Sequence, residues 1–400
     1  MIRRSIPASA AALVALAACS TADGAPTARA TVDTLPSGAL SVMSPGPTAW
    51  RDSSDAWRIV EDMRIEGADG SAGELADPQS IAVDDAGRLY VADQSPTVVK
   101  VFGPDGTFIR TIGREGAGPG EFGTAIIAVH GDRLVVHDPT QTARTSVFDT
   151  AGTFIRSWSS SCCYWAPIGI DRAGLIYVPL TGRGDTTAVI TYARYTMEGA
   201  LRDSVRVPVL KPSQRWVVRQ GKTARMSVQI PYTPQMRFTL DPAGGVLYGW
   251  SGEYRLVRSL TGRDTAQLFG REWKPEPVPE EIRRAEVEKM VTANKQHMDE
   301  TLLRNSFPVG EVPSTAPAFS SLTADRDGNR WVRTVGDSAR TVYDVFDSSG
   351  AYLGPVTVPA SLSPWGAIAW GKGTLYAAVQ NDEGMPAIVR YRIEKGRGGR

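Results

Sequence analysis

One short pattern returns six times along the chain: a β-rich run, a tight turn carrying glycine, and a second β-rich run. Its clearest copy is residues 80–93, with Ile81, Ala82 and Val83 before the turn at Gly87 and Leu89, Tyr90 and Val91 after it. The other copies begin at Ile127, Ile168, Phe238, Leu322 and Ile368. Turn glycines Gly87, Gly131 and Gly174, and again Gly328 and Gly373, lie 43 to 45 residues apart. Each copy is followed by two more β-rich runs, clearest in 98–102 and 107–112 around Pro104-Asp105-Gly106. Four strands in a period of that length predict propeller blades, and six copies predict an all-β, six-bladed β-propeller over 51–395.

Two irregularities in the period predict further structure. The spacings from Gly174 to Gly244 and on to Gly328 are too long, so insertions are expected near 208–231 and 271–317, within blades three and four. The second is predicted to hold one helix over about 279–303. Pro279, Glu280 and Glu281 suit a first turn, and Val287, Met290, Val291, Asn294, Met298 and Leu302 fall on one stripe. That stripe either packs on the propeller rim or forms a lid that brings Met290, His297 or Met298 to a ligand. The sixth copy has only three strands before a basic, glycine-rich tail at 396–400. A run at 57–65, where Trp57, Ile59, Met63 and Ile65 alternate with Arg58, Asp62 and Arg64, is predicted to close the ring as its fourth strand.

Blade one, with Pro78, Ile81-Ala82-Val83-Asp84, Gly87, Leu89-Tyr90-Val91-Ala92-Asp93 and Val99-Lys100-Val101-Phe102, resembles an NHL repeat. Residues 57–393 as a whole are similar to the bacterial six-bladed, NHL/TolB-like propellers, and lack the Trp-Asp endings of WD40 blades. That resemblance implies a scaffold on which both binding proteins and enzymes occur, among them zinc-dependent lyases and calcium-dependent lactone hydrolases.

Ahead of the blades, Arg3 and Arg4 precede a small apolar run from Ala8 to Ala18 that ends in Leu16-Ala17-Ala18-Cys19. This is the order of a secretory signal over 1–18, and the run is about half of the roughly 20 apolar residues a span requires. Leu-Ala-Ala-Cys resembles the bacterial lipobox, which implies cleavage before Cys19 and covalent acyl lipid on its thiol. Residues 19–50, rich in Ala, Ser, Thr, Pro and Gly, are expected to be a flexible tether reaching roughly 30 Å. Losing Arg3 and Arg4 and no acid takes the formal charge from +1 to −1, which does not suit a nucleic-acid partner. The expected location is the cell envelope, facing periplasm or exterior. Ser20 points to the outer membrane, where the cell has one, by resemblance to enterobacterial lipoproteins.

A four-stranded blade puts its long connections on one face, and functional groups concentrate on loops held by a rigid scaffold. That face is the expected binding surface for an envelope protein, peptide or glycan, by a monomer or a subunit of a larger complex. Its candidate residues are Tyr164, Trp165, Arg183, Asp185, Met290, His297 and Met298. Adjacent Cys162 and Cys163 either pair as a vicinal disulfide, join two molecules, or sit in a plain loop anchor. Asp84, Asp171, Asp241 and Asp325 stand where a strand enters a turn and are read as bonding their own backbone. Glu74, Asp77 and Glu121 offer oxygen ligands for a cation such as calcium near the channel mouth. Three histidines, with His130 and His137 at opposite ends of neighbouring strands, do not make a zinc site. No catalytic residue and no metal ligand is assigned. The competing reading is a metal-dependent hydrolase or lyase at the channel mouth.

Overall fold

The computed structural model describes residues 30–396 apart from 47–49, 51–53, 68–69, 161–165, 181–187, 337–339 and 364–365. Six four-stranded antiparallel blades form in chain order over 78–112, 126–159, 169–208, 236–271, 321–358 and 368–394. The last blade takes its outermost strand from Arg58–Ile65, paired with Pro386–Glu394 so that Ile59 faces Ile393 and Arg64 faces Val389. First and last parts of the chain thus share one sheet, and the ring has no open seam there. Trp57 fixes the junction: it lies 6.0 Å from Trp331, which stacks on Trp370 at 4.6 Å.

The predicted turn aspartates do what their position implies. In the turns after the innermost strands, Asp84 accepts from the Ala86 and Arg88 amides at 3.0 and 2.9 Å, and Asp171 from those of Ala173 and Leu175 at 2.9 and 3.0 Å. The second carboxylate oxygen takes a ring donor six residues on: Tyr90 at 3.1 Å, Tyr177 at 3.0 Å and, from Asp325, Trp331 at 2.9 Å. Blade four has Leu247 at that position, and Arg258 bonds Asp241 instead. At this rim Arg326 of blade five donates to Asp85 and to the Val83 carbonyl of blade one, while Arg172 of blade three donates to the Arg326 carbonyl at 2.6 Å. Alternate blades are tied across this end of the channel. Above it the channel is a largely apolar space of about 250 Å³ walled by the six innermost strands, among them Ile81, Ile127, Ile168, Leu240, Ala324 and Ile368.

Two expectations need correction. The tether read over 19–50 gives way to structure by residue 31: Thr31–Thr34 and Leu40–Ser44 form a hairpin that lies parallel on the outer strand of blade four, Leu40 facing Gln267 and Ser44 facing Arg271. Val42 is buried against Phe269 and Tyr352, so one inward aliphatic in a polar stretch suffices once a sheet edge supplies the hydrogen bonds. Both insertions, moreover, lie between blades and not within them, one linking blades three and four and the other blades four and five.

Candidate functional site

All links between blades, and all links between middle strands, leave from the rim opposite the Arg326 tie. Both insertions rise there. The first is a hairpin, Arg215–Gln220 with Thr223–Gln229, and the second carries helices Glu280–Asn294 and Glu300–Ser306. The single helix predicted over 279–303 is therefore broken. Asp299 accepts from the Leu302 amide at 2.8 Å and starts a second helix, which turns the stripe to a new direction.

These segments, far apart in sequence, bury each other. Trp216 and Val218 from the hairpin meet Val287, Val291, Leu303 and Phe307 in a core separate from the blades. Trp216 stacks on Phe307 at 5.1 Å and donates from Nε1 to Glu311 at 2.7 Å. Met290 and Met298 pack into this core, and His297 is exposed. The helical stripe thus packs on the other insertion, where the sequence suggested the propeller rim or a ligand.

At this rim, Arg237 lies near the start of the innermost strand of blade four, Met236–Leu240, directly across from Gly249. A Cβ on Gly249 would meet the Phe319 ring at 3.2 Å, which places this face toward blade five. Burial pulls the pKa of Arg237 down, and no charged neighbour among the described residues counters it. Its Nε is buried without an acceptor, and among the described residues the guanidinium has no ion pair. Arg271 shows the contrast. Burial works against its charge too, yet Tyr254 and Asp344 hold its pKa above the ordinary value, with Asp344 accepting at 2.8 and 2.9 Å and Tyr254 beneath the guanidinium at 4.4 Å. Around the same rim, a groove of about 880 Å³ beside blade six is lined by polar groups that include Glu61, Arg64, Glu66, Asp77, Asn381 and Asp382.

The other predicted residues separate. Cys19, Cys162, Cys163, Tyr164, Trp165, Arg183 and Asp185 lie outside the described residues. Glu74, Asp77 and Glu121 each serve a local partner: Glu74 accepts from the Gly70 amide at 2.7 Å, Asp77 bonds Gln79, and Glu121 pairs with Arg114. Among the described residues no three of His, Cys, Asp and Glu come together as a metal site. His137 is fully buried at the end of its strand, 3.1 Å from Thr145 and 3.4 Å from Ser160. Arg237 is not among the residues expected from the sequence, although the stretch around it stands out. Between Asp203 and Asp241 the chain has seven basic residues and no acid.

A family model described as a 6-bladed beta-propeller matches residues 72–125. No curated protein matches the chain. Among solved structures it is similar to a Bacteroides fragilis NCTC 9343 protein described as exported, at 11% identity over 86% of this chain and 97% of that one, with a TM-score of 0.49. A duf4221 family member from Bacteroides vulgatus is similar at 11% identity over 86% and 100%, with a TM-score of 0.47. Virginiamycin B lyase from Staphylococcus aureus follows at 12% identity over 84% and 99%, with a TM-score of 0.42. The blades and the matching family model together define a six-bladed β-propeller.

Proposed function

We propose that this chain is a non-enzymatic binding protein of the cell envelope, held to a membrane by lipid on Cys19, whose insertion-bearing rim takes an acidic group of a protein, peptide or glycan. Arg237 carries the reading: a desolvated guanidinium at the insertion-bearing rim with no ion pair among the described residues. Such a group costs the free protein stability, and a carboxylate offsets that cost by two parallel hydrogen bonds. The polar groove beside blade six, on the same rim, suits the hydroxyls and amides of the rest of an extended partner.

Arg237→Met separates a binding role from a structural one. Removing an unpaired buried charge is expected to stabilise the fold by about 1 kcal/mol or more, raising the melting temperature. The same change is expected to abolish the thermal shift that a glutamate-rich peptide or a glucuronate oligosaccharide gives the unaltered protein. A variant that melts lower, together with no shift by either probe in the unaltered chain, would make Arg237 a structural residue and remove the basis of the proposal.

A further inference from the structure

We infer that the hairpin Arg215–Gln229 is an electrostatic foot that rests on the anionic lipid headgroups of the membrane to which the chain is anchored; this rests on the anchoring reading of Cys19. The hairpin has two unlike faces. Trp216 and Val218 point into the core shared with the helices, and Trp216 is clamped there by Phe307 and Glu311. The opposite face exposes Arg215, Val217 and Arg219, with Arg225 on the partner strand and Lys222 at the tip beside Gly221. Val217 is 38% exposed. Arg215 and Arg225 bond only within the hairpin, to Ser227 and Gln220, and none of the four cations forms an ion pair among the described residues. Elsewhere exposed cations find acids readily: Lys211 at the base of the hairpin pairs with Glu253 at 2.8 Å, and Arg304 with Glu288 at 2.7 Å. A rigid arm with cations and one aliphatic on its outer face, and no acid in its sequence, matches a surface of anionic headgroups.

The path of the chain selects this partner. Thr31 pairs with Met43, and the neighbouring Ser44 pairs with Arg271, where the helical insertion begins. Residue 30 therefore enters at the same rim from which both insertions rise. Only the ten residues from 20 to 29 separate it from Cys19, and a chain of that length spans at most about 36 Å. A lipid-held Cys19 keeps that rim, and the hairpin on it, close to the bilayer.

The test uses the processed chain from residue 19, which keeps every described element, with Cys19→Ser so that no acyl chain contributes. It is mixed with phosphatidylcholine vesicles with or without about one-third phosphatidylglycerol, at low salt, where surface charge acts at long range. Sedimentation with the anionic vesicles is expected to exceed that with neutral vesicles by at least about ten-fold. The variant R215Q/R219Q/K222Q/R225Q is expected to lose that excess with an unchanged melting temperature, while R215K/R219K/R225K keeps it. Equal partition of the unaltered hairpin between the two vesicles, or anionic binding that survives the four glutamines, overturns the inference. Retention on an acidic polysaccharide without vesicle binding overturns it as well and makes the hairpin a glycan site. The anchor is read separately in membranes washed at about 1 M salt, where headgroup attraction is screened. Release of the Cys19→Ser chain and retention of the lipidated chain support the anchor whatever the vesicles show.

Discussion

Asp138 shows how one carboxylate can hold a loop in place at the functional rim. It is 2% exposed and accepts from the amides of Gly123, Thr140, Gln141 and Thr142 at 2.9 to 3.1 Å. Burial opposes its ionisation, but the Gly123 and Gln141 amides hold its pKa below the ordinary value. The ionised form is the one the fold favours. Its contribution is therefore complete above the unfolded value near 4 and is lost as pH falls through the lower folded value. Asp138→Ala is expected to cost about 2 kcal/mol at neutral pH, and the difference in melting temperature from the unaltered chain should shrink below about pH 4. A gap that stays constant through that range would mean that the amides do not depend on the charge. Residues of this kind were only half legible. Asp84, Asp171, Asp241 and Asp325 announce themselves because the turn glycine follows at a fixed distance. Asp138 and Arg237 do not: the Gly123 amide reaches Asp138 from another loop, and Arg237 is buried by tertiary packing.

Blade elements were legible because a strand's alternation is local, and so was the closing strand, since a three-stranded last blade demands a fourth. The N-terminal hairpin was not. Its strands are short and polar and become strands only against the outer edge of blade four. From there the chain crosses the outside of blade five, where Trp50 donates to the Pro355 carbonyl at 3.0 Å and its ring covers Gly354. Gly354 has φ +143, and a Cβ there would stand 2.2 Å from the indole. Gly354→Ala is expected to push Trp50 off the blade and destabilise by about 1–3 kcal/mol in urea, with a red shift of tryptophan emission. Unchanged emission and midpoint would show that this crossing does not hold the ring. The two insertions that pack together into a crown on the rim, the hairpin and the helices, were legible only as two gaps in the period. Nothing local to Trp216 or to Phe307 says that the two rings stack.

For the molecule as a whole, the ring divides its ends. One is tied across by Arg326 and Arg172, and the other carries every long link, the crown, Arg237 and the point where residue 30 enters. The sequence indicated that division through its loop lengths, but the chemistry at the rim is assembled from blades remote in sequence and cannot be read off any one repeat. The proposed division of labour is tested most directly by photocrosslinking in intact envelopes, with a photoreactive residue at exposed Ile282 on the crown or at exposed Lys372 in a turn of the opposite rim. Crosslinked products from position 282, lost on adding Arg237→Met, with none from position 372, are the expected result. Products from position 372 alone would place the binding face at the wrong end of the propeller.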